Sequence, residues 1–155
     1  NGNIEQHGTA HEVYNNPKNL FTYSFLGQFN KFKALEQKKK IIPTLNYDRK
    51  DADLKKSLKT IFSRPYEIDI FKNNNKEGSL LECKIIHSRP MGLTVSLELE
   101  SVHKEAIHAE ITRDDFINNP HDDGDTIFIG LNKLCKSFAL SPFVHLNKPC
   151  VNPAS

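Results

Sequence analysis

The chain contains no tryptophan, a single methionine, and three cysteines, Cys83, Cys135 and Cys150, set far apart. No C-x-x-C pair occurs, which excludes a zinc ribbon or a thioredoxin-type redox site. The same scarcity excludes a disulfide-dense secreted module. Cys83 and Cys135 read as small core residues, and Cys150 as a tail thiol in a reducing compartment. No apolar run approaches the roughly 20 residues needed to cross a bilayer. The N-terminus also lacks the charged-then-apolar pattern of a secretory signal. Catalytic punctuation is missing as well: there is no G-x-x-x-x-G-K-[ST] cradle, no G-x-G-x-x-G, no H-E-x-x-H and no G-x-S-x-G. Asp122, Asp123 and Asp125 around Gly124 imitate part of a calcium loop but lack its terminal Glu, so they read as a hairpin turn. On this chemistry the chain is a binding or regulatory module, with no catalytic residue, no metal site and no cofactor of its own.

What the chain does contain suffices for one domain. It has 155 residues, 37% hydrophobic and 26% charged, with ten Phe, and a chain of this size buries about two thirds of its unfolded surface. The net charge of +2 is unevenly spread. Residues 31–59 hold ten basic and four acidic side chains, while the remainder has an acidic excess. A basic segment of this kind suits an anionic partner or is simply a solvated insertion.

The first 26 residues read as helical. Thr9-Ala10-His11-Glu12 is a capping box. Asn15-Asn16-Pro17 ends that short helix, and Asn16 with Pro17 opens a second one carrying Leu20, Phe21 and Phe25, which Gly27 ends in a left-handed conformation. Beyond Gly27 the period changes to two. In Leu93-Thr94-Val95-Ser96-Leu97-Glu98-Leu99-Glu100 every odd position is apolar, which predicts a half-buried antiparallel strand with Leu93, Val95, Leu97 and Leu99 inside. Ile107, Ala109 and Ile111 alternate likewise. Further strands are expected over 29–35, 58–63, 80–87, 126–131 and 134–138. Pro43, Pro65, Pro90 and Pro120 lie between or at the ends of these runs, where a missing donor does least harm. Thr112-Arg113-Asp114-Asp115 reads as a capped helical turn. The pattern predicts a mostly β fold, a small antiparallel OB-like barrel over 27–140 preceded by a short helical segment over 1–26, with 141–155 a loosely held tail.

The opening residues carry a longer pattern. Asn3-Ile4-Glu5-Gln6-x-Gly8-Thr9-x-x-Glu12-Val13-Tyr14-x-x-Pro17, then Asn19-Leu20-Phe21 and Phe25-Leu26-Gly27, resemble the end of an ABC-transporter ATPase domain, with Ala10 where that family usually has Pro. From Gly27 onward the chain resembles the sulfate/thiosulfate-importer branch. Gly27-Gln28-Phe29-Asn30 is similar to the opening of its C-terminal domain. Phe62-Ser63-Arg64-Pro65-Tyr66-Glu67-Ile68-Asp69-Ile70 is similar to its F-x-R-P signature, and Ala109 to Phe116 and Asp125 to Leu131 keep the expected order. The resemblance covers about residues 1–138 and is weakest over 36–57.

It implies the last piece of an ATP-binding subunit together with a transport-associated OB-like regulatory domain. The phosphate loop, signature loop and catalytic Glu would then lie upstream of Asn1, and ATP and Mg would serve the full-length parent. The partners implied are a second copy of the subunit, transmembrane permease subunits and a small oxyanion effector, on the cytoplasmic side of the inner membrane. For such an effector, Arg64 and Arg89, each preceding a proline, would supply planar paired donors, and Gly92 would allow a close backbone approach. The rival is an OB-type nucleic-acid module using Lys38-Lys39-Lys40. That function wants aromatic platforms among the basic residues, and between Gln37 and Lys59 only Tyr47 is aromatic, so nucleic acid is not the expected partner.

Overall fold

A computed structural model describes residues 2–37, 40–43, 58–74, 80–131 and 135–138 of the chain. Lys38, Lys39, the lysine-rich stretch between residues 44 and 57, Cys150 and the expected tail at 141–155 lie outside the described residues.

Two short helices come first, α1 (Ala10–Asn15) and α2 (Leu20–Phe25). The capping box forms as the sequence implies: the Glu12 N–H donates to Thr9 Oγ1 at 3.2 Å, and the Thr9 N–H donates to the Glu12 carboxylate at 2.9 Å. These bonds hold the Glu12 carboxyl below its ordinary pKa. The second helix starts later than expected. Its cap is Asn19, whose Oδ1 accepts from the Thr22 N–H at 2.8 Å, and Pro17 stays outside it. Gly27 follows with φ +142°, positive but away from the left-handed helical well.

Among the described residues eight strands follow in two antiparallel sheets. β1 (Asn30–Gln37) lies between β2 (Lys40–Pro43) and β3 (Leu58–Ser63). A single 3-10 turn, Pro65–Glu67, leads into β4 (Ile68–Phe71). With β5 (Leu81–Met91), β6 (Thr94–Ser101), β7 (Ala106–Thr112) and β8 (Thr126–Leu131), β4 builds a five-stranded sheet ordered β4-β8-β5-β6-β7. The fold is mostly β and antiparallel, as the period-two patterns imply. The five-stranded sheet stays open, with β4 and β7 as its edges, so the expected barrel is not closed. Of the strand expected over 134–138, residue 134 lies outside the described residues, and 135–138 contribute one isolated bridge, Phe62 to Lys136. α3 (Arg113–Asn118) grows from the end of β7, its Asp115 N–H capped by Thr112 Oγ1 at 3.1 Å.

Alternation sets the core. Val95, Leu97 and Leu99 of β6 are buried and meet Ile85, Ile107, Ala109, Ile127 and Ile129. Phe32 of β1 enters the same cluster and joins the smaller sheet to the larger. A second cluster, Ala34, Ile61 and Cys135, shares Leu131 with the first. Burial pushes both the Cys83 and Cys135 thiols up to about 12.

Leu93 departs from its pattern: it is 88% exposed. Gly92 and Leu93 form the two-residue turn between β5 and β6, and Gly92 adopts φ +69°. A tight hairpin with positive φ at its first central position needs glycine there, so the odd-even pattern runs one residue past the strand that it describes. Pro90 lies inside β5, opposite Val95, and not at a strand end. β8 pairs only with Leu81 to Lys84, so Pro90 faces an unpaired edge, where no donor is missed.

Candidate functional site

Arg64 sits where the polar signature Ser63-Arg64-Pro65-Tyr66-Glu67 leaves β3, and it is 3% exposed. Its guanidinium donates to three backbone carbonyls in and just after α2: Tyr23 at 2.7 Å, Gly27 at 2.7 Å and Gln28 at 3.2 Å. It also lies over the Tyr23 ring, 3.9 Å from the centroid, with the Tyr14 ring at 5.3 Å. A planar fork suits this role because it binds several acceptors in one plane while its face stacks on an aromatic ring. Pro65 keeps Arg64 extended, with φ −70° and ψ 154°. Glu67 closes the turn by accepting the Arg64 N–H at 2.8 Å. Burial raises the Glu67 pKa above its ordinary value, against the lowering pull of that hydrogen bond, Lys136 and Arg64.

Around this junction Tyr23, Phe29, Phe62 and Phe138 form an aromatic cluster with centroids 5.5–6.3 Å apart. The Tyr23 hydroxyl inside it is buried without a hydrogen-bond partner among the described residues. Tyr66 reaches back to the first helix, its hydroxyl donating to that of Tyr14 at 3.2 Å. The helical segment and the β domain are therefore bound through one polar and aromatic junction.

Arg89 lies elsewhere. It is exposed on β5, opposite Ser96, with its Nη1 3.5 Å from Glu98. Gly92 is the hairpin turn three residues on, and its carbonyl accepts from Arg113 at 3.4 Å. Of the three residues expected to meet an oxyanion, only Arg89 and Gly92 share a region. Arg64 is turned inward and has three of its donors committed to the chain. The acidic turn also works internally. Asp123 accepts from Ser88 N–H at 2.9 Å, and beside the β5 irregularity between Ile85 and His87 the Gly124 N–H donates to the Ile85 carbonyl at 2.7 Å while the Ile85 N–H donates to the Asp125 carbonyl at 2.9 Å.

Sequence reasoning overlooked the opening between β4 and β7. Both edge strands line one groove of about 890 Å³, together with Tyr66, α3 residues and His121. No motif marks it, because its residues come from four separate parts of the chain.

No protein-family model matches the chain. Individual relatives do. A sulfate/thiosulfate import ATP-binding protein from Nitrosomonas europaea is 35% identical over 138 residues, 86% of this chain and 38% of that protein. One from Methylococcus capsulatus is 32% identical over 142 residues, again 86% of this chain and 38% of that protein. The spermidine/putrescine import ATP-binding protein of Salmonella typhimurium is 56% identical over 34 residues, 22% of this chain. The chain is thus a homologue of import ATP-binding proteins. Along most of its own length it is homologous to those of sulfate/thiosulfate import, as the motifs imply. It spans a little over a third of the length of the sulfate/thiosulfate relatives that it matches.

Proposed function

We propose that the chain is the regulatory and dimerisation domain of the ATP-binding subunit of an importer for sulfate or a related oxyanion. The observation that carries this reading is the Arg64 junction. The segment with the ATPase-end motif, through Gly27, is bonded to the β domain by a buried guanidinium, so a displacement of one is felt by the other. Chains of packed and hydrogen-bonded groups of this kind carry coupling between parts of a protein.

The parent subunit would hydrolyse ATP with Mg, pair with a second copy and dock on membrane-spanning permease subunits at the cytoplasmic face of the inner membrane. No described helix is itself long and apolar enough to cross a membrane. The sequence contains no phosphate cradle, so these residues would contribute control and surface to the reaction while ATP binds elsewhere in the subunit.

The test is a parent subunit truncated after Gly27. Expected are retained ATP hydrolysis, weaker subunit pairing by light scattering, and hydrolysis that no longer responds to the permease. Truncation that leaves pairing and response unchanged overturns the reading, as does truncation that abolishes nucleotide binding.

A further inference from the structure

The groove between the sheet edges has a definite chemistry. Asp69 on β4, Glu110 on β7 and Asp115 on α3 line it, against a single lysine, Lys72. Ile70 and Ile111 supply apolar wall from the same two edge strands. His121 completes it at only 7% exposure. Its ring contacts Phe116 at 6.4 Å, and its nitrogens are not among the buried atoms left unpaired in the described residues, so they are reachable from the groove. Burial and the nearby Lys72 lower the His121 pKa, against the raising pull of Asp125, which favours the neutral imidazole with one donor and one acceptor nitrogen. Three carboxylates against one lysine in the lining disfavour an anion there. The volume lies in the range of small-molecule sites.

We propose that this groove binds a small organic cation, an ammonium or guanidinium on a short apolar stem. The charged head meets the carboxylates of Asp69, Glu110 and Asp115 and donates to the acceptor nitrogen of His121, while the stem lies along Ile70 and Ile111. A guanidinium matches a carboxylate with two parallel N–H donors. The site stands on the groove's own residues and is independent of the parent subunit's activity, so it extends the proposed regulatory role by giving the domain an effector class.

The test uses the 155-residue chain and argininamide as probe, followed by calorimetry and by the His121 ring-proton signals. Citrullinamide, with a neutral urea in place of the guanidinium, and sodium sulfate are the comparison arms. Expected are a dissociation constant at or below about 1 mM for argininamide, a shifted His121 signal, and at least tenfold weaker binding (about 1.4 kcal/mol) by citrullinamide. Asp69→Asn with Glu110→Gln, both at partly or fully exposed positions, should weaken binding about tenfold without altering the far-ultraviolet dichroism. His121→Phe should weaken it while preserving the buried ring. The proposal fails if argininamide does not bind at about 10 mM, if citrullinamide binds equally, if sulfate shifts the His121 signal instead, or if the carboxamide variant binds as the parent does.

Discussion

A single side chain can carry more of this fold than any helix. Arg64 satisfies three carbonyls that have no strand partner, that of buried Tyr23 and those of exposed Gly27 and Gln28, and a buried one costs about 1–3 kcal/mol if left unpaired. Arg64→Ala is therefore expected to lose about 2–3 kcal/mol in urea unfolding. Arg64→Lys should recover little, because an ammonium cannot fork across Tyr23, Gly27 and Gln28 while stacking on a ring. Glu67 beside it acts in the opposite sense. Its folded pKa is raised by burial, so the folded state holds the proton more tightly than the unfolded chain. That preference stabilises the fold below the unfolded value and is lost as pH rises through the folded one. Glu67→Gln keeps an oxygen for the Arg64 N–H and removes the buried charge. Relative to the parent, its urea midpoint is expected to be higher at pH 7 than at pH 4; no change in that difference would mean the carboxyl is not penalised by burial. The thiols give a third test at this scale. With Cys83 and Cys135 pushed up to about 12 by burial, iodoacetamide should label neither in native chain at pH 8, as read by peptide mapping, and both after unfolding.

At the scale of elements, the strands were the most legible feature. Val95, Leu97 and Leu99 were readable as core because a pleated strand sends alternate side chains to opposite faces, and their burial agrees. Val95→Asp should cost several kcal/mol by placing an unpaired charge in the core. Glu98→Lys, at a half-exposed position with only a 3.5 Å pairing to Arg89, should stay within about 0.5 kcal/mol. Leu93→Ser belongs with the second and not the first, since that side chain lies in the turn; chemical denaturation of the three variants ranks them. Boundaries were less legible for a local reason. Period two says which residues share a face but not where the strand stops, and at Gly92 the stop is set by backbone conformation. The second helix shows the same limit. Asn16 and Asn19 are equally good caps by residue type, and only the structure shows Asn19 receiving the Thr22 N–H.

At the scale of the whole molecule, the sequence revealed the kind of fold but not its opening. A barrel and an open curled sheet have the same alternation, and what separates them is whether β4 and β7 pair, which residues 68–71 and 106–112 do not announce. The groove escaped for a related reason: Asp69, Glu110, Asp115 and His121 are spread along the sequence and meet only because the sheet curls. Arg64 was legible as important, since an arginine between Ser63 and Pro65 is conspicuous, yet its direction was not, because the carbonyls that it binds lie 36–41 residues away. An open sheet raises the matter of what keeps copies of the chain from zipping together edge to edge. Asn30 answers it at one point. Its amide donates to the His108 carbonyl at 2.7 Å and accepts the His108 N–H at 2.8 Å, occupying both groups that a neighbouring strand would use. One carboxamide thus stands in for a rung of a sixth strand and blocks the β7 rim in mid-length. Asn30→Ala would unblock it, and the expected sign is concentration-dependent clouding on storage together with rapid deuterium uptake at the His108 amide.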